Sequence, residues 1–301
     1  MNGTELAYAA GWRVVRALPR PVAAALFTVG ADVAVRRDAR GVRRLRENLR
    51  RVVGDQVTEA ELAGLVRRGM RSYLRYYLEA FRLPSMSQRQ ILARFRLERN
   101  ELLGEDVATG RGAIVALPHG GNWDLAGAWV AARGWPLVAI AERLKPEGLY
   151  RRFLEFREGL GMEIIPLTGT EKPPLELLVE RLAKGYIVAL LADRDLPGRG
   201  VTVDFFGAPT TMPAGPALLA LRSGSPLYTV DMWYEPDAAC GQLTGPVPVP
   251  GPEAGSMTER IRMVTQELAD RFAAGIARHP EDWHMLQRMW REPARAGDRA
   301  G

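Results

Sequence analysis

The stretch "AIVALPHGGNWDLAGAW", residues 113–129, decides how the rest of the chain is read. Five apolar residues of the kind that fill a fully buried strand run into Pro118; after His119, two glycines lead to Asn122 and an apolar helical pattern. A buried strand, a tight turn and a helix that Asn122 can cap form the opening of a strand–helix–strand unit. The pattern recurs downstream. "PLVAIA", "EIIPL" and "YIVALLA" alternate with helical patterns at about 122–133, 147–159 and 174–184, an order that predicts parallel strands joined by crossover helices. The expected fold class is therefore α/β, with a central, mainly parallel sheet flanked by helices.

Beyond this core the reading continues with "VTVDFFG", a period-two strand with Val201, Val203 and Phe205 on one face, then a helix at 213–223 and a strand "PLYTVDMWY". A Pro-rich connection at 246–252 precedes a long helix. That helix opens on Ser256 and Glu259 at capping-box spacing and buries Ile261, Val264, Leu268, Phe272 and Ile276. In "HPEDWHMLQRMW", Trp283, Leu286 and Trp290 read as an apolar helical stripe that packs, and His279 and His284 as structural residues; the C-terminal "REPARAGDRAG" reads as frayed. Upstream, residues 5–83 read as helices. Leu62, Leu65, Val66, Met70, Tyr73, Leu74, Tyr77, Leu78 and Phe81 follow a helical period, with Thr58 and Glu61 as capping box and Pro84 as stop. The organisation expected is a single domain over 1–301, a helical region at 1–84 and an α/β core at 105–292.

Composition narrows the function classes. The 301 residues are 47% hydrophobic and carry a formal net charge of +6. The charge is uneven: residues 1–100 hold 20 Arg against 9 acidic residues, leaving the remainder net acidic. Eight arginines, Arg36, Arg37, Arg40, Arg43, Arg44, Arg46, Arg50 and Arg51, crowd one short segment among Val42, Leu45 and Leu49, beside the apolar run Pro21–Val35. That run contains Asp32 and falls short of the ~20 apolar residues a spanning helix needs. The combination predicts docking on an anionic membrane surface rather than crossing it. No recognition motif accompanies the charge, so nucleic acid is not an expected partner. Cys240, the single cysteine, excludes an internal disulfide and a cysteine-based zinc cluster.

Chemistry concentrates after the first core strand. His119 and Asp124 form an H-x4-D pair at the strand end where α/β proteins place ligand sites. A histidine serves as general base when one ring nitrogen is free and an acceptor fixes the other, and Asp124 is close enough in sequence to be that acceptor. The alternative reading gives His119 a turn-capping role and Asp124 a place in the first helical turn. The two glycines would let the backbone approach a substrate. In "ADRD", Asp193 and Asp195 end another expected parallel strand on the same sheet edge, where a carboxylate pair could also hold a metal. Arg157 and Arg194 are candidates for phosphate contacts, Asn122 for the helix start and the substrate, and Phe206 for groove wall or core.

"LPHGGNWDLAGAW", "LLADRDLPGRGVTVDFFGAPTTMPAGPALLALRSGSPL" and "RHPEDWHMLQRMW" resemble the three signature regions of the bacterial lipid A late acyltransferase family, over about residues 10–292. Within that family the chain looks most like the branch that acylates phosphatidylinositol mannosides in high-GC Gram-positive bacteria. The resemblance implies transfer of a long-chain acyl group, typically palmitoyl, from acyl-CoA to a mannose hydroxyl at the cytoplasmic face of the cell membrane. No cofactor and no metal are implied. His119 would deprotonate the hydroxyl, and Asp193 stands where the family places a second acid beside the His, usually Glu in the mannoside branch. The catalytic set expected is His119, Asp124 and Asp193; the substrate-binding set is Asn122, Arg157, Arg194 and Phe206. Rival readings are an acyltransferase of another glycolipid, such as a lipid A precursor, and a non-catalytic lipid-binding protein of the same fold.

Overall fold

The computed structural model describes residues 15–141, 147–195 and 198–290; the expected helix at 5–14 and the frayed tail at 291–301 lie outside them. After a helical turn at 15–17, the described residues form α1 (Arg20–Arg36), α2 (Arg40–Val53) and α3 (Glu59–Arg82). They share a core of Ala31, Val42, Leu45, Leu49, Leu62, Leu65, Val66 and Met70. The expected capping box starts α3, with Thr58 accepting from the Glu61 amide and the Glu61 carboxylate accepting from the Thr58 amide. Among the described residues no helix is long and apolar enough to cross a membrane.

The order continues α4 (Gln88–Arg94), β1 (Phe95–Glu98), α5 (Glu101–Ala108), β2 (Ala113–Leu117), α6 (Trp123–Ala132), β3 (Leu137–Ala141), α7 (Glu147–Glu158), β4 (Glu163–Pro166), α8 (Pro174–Leu182) and β5 (Ile187–Leu191). Then follow β6 (Val201–Phe205), β7 (Ala208–Met212), α9 (Gly215–Ser223), β8 (Leu227–Tyr234), β9 (Ala239–Thr244) and α10 (Met257–Arg278). Seven strands form one sheet in the order β1-β9-β8-β2-β5-β3-β4, and β6 and β7 form a separate hairpin. All sheet pairings are parallel except β8 with β9. The architecture is the α/β fold with a mainly parallel, helix-flanked sheet that the sequence predicts.

Alternation along β2 shows how the layers are filled. Ile114 and Ala116 face a core shared with α8, α9 and α10, whereas Ala113, Val115 and Leu117 face a second core shared with α4, α5, α6 and α7. Both faces of the sheet are thus covered, as parallel sheets require.

Three strands and one irregular segment depart from the sequence reading. β1 and β9 form the sheet edge beyond β8, and β7 returns along β6 through a tight turn at Phe206 and Gly207, both with positive φ (50° and 69°). The apolar stripe of Trp283, Leu286 and Trp290 does not lie on a helix. Pro280 lacks a backbone donor and disfavours helical geometry at the residue before it, so α10 stops at Arg278. A short 3₁₀ turn, Pro280–Asp282, follows, and Trp283 then bridges to Gly120 in the loop after β2.

Candidate active site

The sheet register builds the site. β2 and β5 are neighbouring parallel strands with Leu117 opposite Leu191, and the Ala192 amide extends the ladder to the Leu117 carbonyl at 2.9 Å. His119 and Asp193 each lie two residues beyond that pair, so the two chain exits deliver them side by side. Asp193 Oδ1 lies 2.5 Å from His119 Nδ1, and Oδ2 accepts from the His119 amide at 3.0 Å and from the Trp283 indole N–H at 2.9 Å. With a carboxylate on Nδ1, that nitrogen carries the proton and Nε2 presents its lone pair. Nε2 has no hydrogen-bond partner among the described residues, and the His119 side chain is 15% exposed while that of Asp193 is 0%.

Burial raises the Asp193 pKa, but the charge of the facing imidazolium and the bonds from the His119 ring, the Trp283 indole and the His119 amide outweigh it. The net result is a carboxyl group held below its ordinary value, charged wherever the protein is folded near neutrality.

Asp124 takes the other course. Its Oδ1 accepts from Arg157 Nε at 2.7 Å, and its Oδ2 accepts from the Tyr76 hydroxyl at 2.7 Å. The H-x4-D carboxylate therefore does not face His119, because the first turn of α6 points it at α3 and α7. It is buried and fully engaged. Arg157 is correspondingly committed: burial lowers its pKa, but Asp124 raises it further, and its guanidinium faces a carboxylate rather than open space for a phosphate. Burial, then the Asp124 charge, push the Tyr76 hydroxyl well above its ordinary value, so it stays a donor.

Asn122 is also internal. Its Oδ1 accepts from the Leu125 amide, the helix cap expected of it, and its Nδ2 donates to Glu79 Oε2 at 2.9 Å, leaving neither end of this wholly buried amide for a substrate. The room made by the glycines is filled by protein. A Cβ on Gly121, at φ +55°, would lie 2.7 Å from that of Met232, and one on Gly120 would lie 3.0 Å from the Asp282 carbonyl. Phe206 sits in the hairpin turn against Phe205, Trp283 and Trp290, on the core side of the question. Arg194 and Asp195 follow Asp193, and Asp195 Oδ2 accepts from the Gly200 amide at 2.6 Å.

The segment Asp282–His284 closes the site from behind. The Asp282 carbonyl accepts from the Gly121 amide at 2.9 Å, and the His284 amide donates to the His119 carbonyl at 2.7 Å. Ser72 Oγ donates to Asp282 Oδ1 at 2.5 Å and lies 2.9 Å from His284 Nε2, tying this segment to α3. Burial, with a smaller push from His119, lowers the His284 pKa to about 3, so its ring is neutral and supplies no second base. His279 stacks on Trp233 with ring centroids 4.9 Å apart. The structural reading of both histidines fits their surroundings. The Trp283 indole, Tyr76 and Ser72 gave no sign of their roles in the sequence, where they occupy apolar or helical positions like any packing residue.

Beside His119 runs an apolar cavity of about 110 Å³ between one sheet face and helices α6 and α7. Val115, Leu117, Ala126, Val130 and Met162 are among its walls, and Asp124 and Arg157, which neutralise each other, are its charged lining. Trp123, also in the wall, stands edge-on to the His119 ring at 5.8 Å. An imidazole beside an apolar cavity suits chemistry on the end of a hydrocarbon chain.

The sequence comparisons agree in kind. The family model described as bacterial lipid A biosynthesis acyltransferase matches residues 2–292. The phosphatidylinositol mannoside acyltransferase of Mycolicibacterium smegmatis is 47% identical over 95% of this chain and 91% of its own length. Proteins of the same name from two strains of Mycobacterium tuberculosis are 47% and 46% identical, each over 96% of this chain and 89% of their own length.

Proposed function

The chain belongs to the bacterial lipid A biosynthesis acyltransferase family, and from that premise we propose that it transfers a long-chain acyl group, palmitoyl in the first instance, from acyl-CoA to a mannose hydroxyl of a phosphatidylinositol mannoside. The observation that carries this reading is His119, fixed through Nδ1 by Asp193, with no partner on Nε2 among the described residues, and set beside the apolar cavity, whose wall residue Trp123 stands edge-on to its ring. The acyl chain lies in that cavity with its thioester carbonyl at the mouth. Nε2 takes the proton of the mannose hydroxyl as its oxygen attacks the carbonyl carbon, and Asp193 stabilises the imidazolium formed. The tetrahedral intermediate collapses with cleavage of the carbon–sulfur bond. The leaving thiolate takes the proton back from Nε2, so ester and free thiol are formed and the base is regenerated. Asp124, Arg157 and Tyr76 hold the cavity wall rather than the proton.

Acceptor and donor chain are both membrane lipids or amphiphiles, so docking belongs to the same reading. Val22, Leu26 and Val29 lie at one-turn spacing on α1 and are 46%, 57% and 60% exposed, while Ala23 and Ala31 are buried and Asp32 is held by Arg67 and Arg71 of α3. Docked face-down on the cytoplasmic leaflet, α1 inserts that apolar row among the headgroups. Part of the basic cluster is internally paired, with Arg43 on Asp38, Arg44 on Glu47 and Arg50 on Glu59, so fewer charges reach the lipid than the sequence count suggests.

The test is thiol release and lipid product analysis with palmitoyl-CoA and a panel of mannosylated phosphoinositides and glucosamine lipids. Acylated mannoside from the wild-type protein, and a loss of roughly 10²- to 10⁴-fold in His119→Ala with an unchanged unfolding temperature, are expected. Acylation of the glucosamine lipids alone would move the acceptor class, and equal rates for wild type and His119→Ala would remove His119 from the chemistry.

A further inference from the structure

A second cavity opens on the opposite face of the sheet from the apolar one. It measures about 330 Å³ and is lined by Arg194, Asp195, Thr202, Thr210, Thr211 and Arg288, with Pro209 and Met289. The hairpin β6–β7 supplies its floor: Thr202 and Thr211 are directly opposed across the ladder, so their hydroxyls share one face. Thr210, one residue before Thr211, points to the other face of the hairpin, where its hydroxyl donates to the Met289 carbonyl at 2.6 Å and so holds the segment carrying Arg288 at the cleft. Neither Arg194 nor Arg288 has an ion-pair or hydrogen-bond partner among the described residues, in a chain where most of the other arginines around the site are matched to carboxylates. Asp195 is the one acidic group in the lining, and one of its oxygens is occupied by the Gly200 amide. The cleft therefore offers two unmatched guanidinium groups and two free hydroxyls against a single partly satisfied carboxylate, a donor-rich set suited to a tetrahedral oxyanion.

Its place gives it a purpose. Arg194 follows Asp193 directly in the chain, so the cleft begins one residue from the His119–Asp193 pair. We propose that this cleft is a phosphate-ester site, with Arg194 and Arg288 holding a phosphate of one of the two substrates so that its reactive end meets His119. The proposal rests on the acyltransferase reading for the identity of those substrates. In a mannosylated phosphoinositide a single inositol ring separates the phosphate from the mannose, whereas in acyl-CoA the pantetheine arm separates the phosphates from the thioester. A phosphate held one residue from Asp193 therefore fits the acceptor's geometry, and the donor's phosphates are the other source of the same chemistry.

Two measurements test it. In the first, glycerophosphoinositol and adenosine 3′,5′-bisphosphate are titrated into the full-length protein and into Arg194→Gln, Arg288→Gln and Arg288→Lys, and binding is followed by calorimetry. One of the two ligands binds the wild type, each Gln variant weakens it roughly tenfold, and Arg288→Lys weakens it less. Because no turnover is needed, this readout stands even if the acyltransferase reading fails. In the second, steady-state kinetics compare each substrate with a phosphate-free analogue, an alkyl mannoside for the acceptor and an acyl-pantetheine for the donor. The Gln variants raise KM for one phosphorylated substrate, and the penalty disappears when that substrate is replaced by its phosphate-free analogue, which identifies the source. Binding of neither ligand by the wild type, or a penalty that persists with both analogues, overturns the cleft; wild-type binding without any transfer in the second assay overturns the function and leaves the cleft standing.

Discussion

Asp193 and Asp124 are both buried carboxylates at the same end of the sheet, yet they differ in what they face. Asp193 is matched to an imidazole, and that ring's other nitrogen has no partner among the described residues. Asp124 is matched to a guanidinium and a phenol that do not titrate near neutrality, and both of its oxygens are taken by them. Burial alone therefore does not mark a catalytic acid. What separates the two is whether the partner is poised to change charge, and the residue adjacent to the base in sequence is the one that builds the wall.

Four substitutions can break or sharpen that contrast. The largest effect is expected from Asp193→Asn, because an amide that turns its NH₂ toward Nδ1 forces the proton to Nε2 and removes the base's lone pair; kcat falls by about 10²-fold or more while the fold persists. Comparable kcat losses in Asp193→Asn and Asp124→Asn, with equal stability losses, would erase the distinction. In Asp124→Asn the main effect is on the fold, since Arg157 keeps its buried charge without a counter-ion, and urea unfolding shows a loss of about 3–5 kcal/mol.

A smaller effect is expected from Trp283→Phe, which keeps the packing and deletes one donor to Asp193 at a cost of roughly 1.5–3 kcal/mol. The pH dependence has a fixed sign. Asp193 has a depressed pKa in the fold, so its stabilisation is full above the ordinary carboxylate pKa and is lost as pH falls through the lower, folded value. Removing the indole donor raises that folded value, so acid unfolding of Trp283→Phe begins at a higher pH than in the wild type. Coincident acid midpoints would show that the indole does not act on the carboxylate.

The smallest effect concerns Asp231, buried beside Gly275 of α10, whose missing Cβ makes the space for it. Burial raises its pKa to about 6, against the pull of Arg278, and its Oδ1 has no partner. An acid raised in the fold favours the protonated chain, so the wild type loses stability as pH rises from about 4 to about 6. Asp231→Asn is expected to match the wild type near pH 4, where Asp231 is protonated in the fold, and exceed it at pH 8 by on the order of 1 kcal/mol in thermal unfolding. A deficit at pH 8 would show that the Arg278 pair outweighs the burial.

How much of this was legible follows from which interactions are local in sequence. The core strands β2, β3, β4 and β5 announce themselves by short apolar runs between helical patterns, and the parallel order they imply already places His119 and Asp193 on one sheet edge. That left two acids for one base, and only the register of β2 on β5 chooses between them. The strand β1, Phe95–Glu98, alternates apolar and charged residues as an edge strand exposed along one side does, and β9, an inner strand between β1 and β8, is interrupted by Gly241; both carry too little hydrophobic pattern to be read. The sequence pattern presents Trp283 as a packing residue on a helix. Its indole is buried as that reading requires, but the bond to Asp193 depends on an irregular chain path set by Pro280. The expectation that His119's glycine neighbours clear space for substrate failed for a related reason, since the space is taken by Met232 and Asp282, far away in the chain.

The clasp formed by Asp282, Trp283 and His284 also bears on how the protein comes into being. Trp283 lies 90 residues after Asp193, so during translation the base and its carboxylate leave the ribosome long before the indole that steadies them and the backbone that grips the Gly120–Gly121 loop. A nascent chain of that length carries every atom the chemistry needs but not the geometry, because non-local contacts form last and at the greatest entropic cost. The paired geometry of His119 and Asp193 is thereby completed only once Asp282–His284 have been made, and a fragment that stops short of them is expected to lack it.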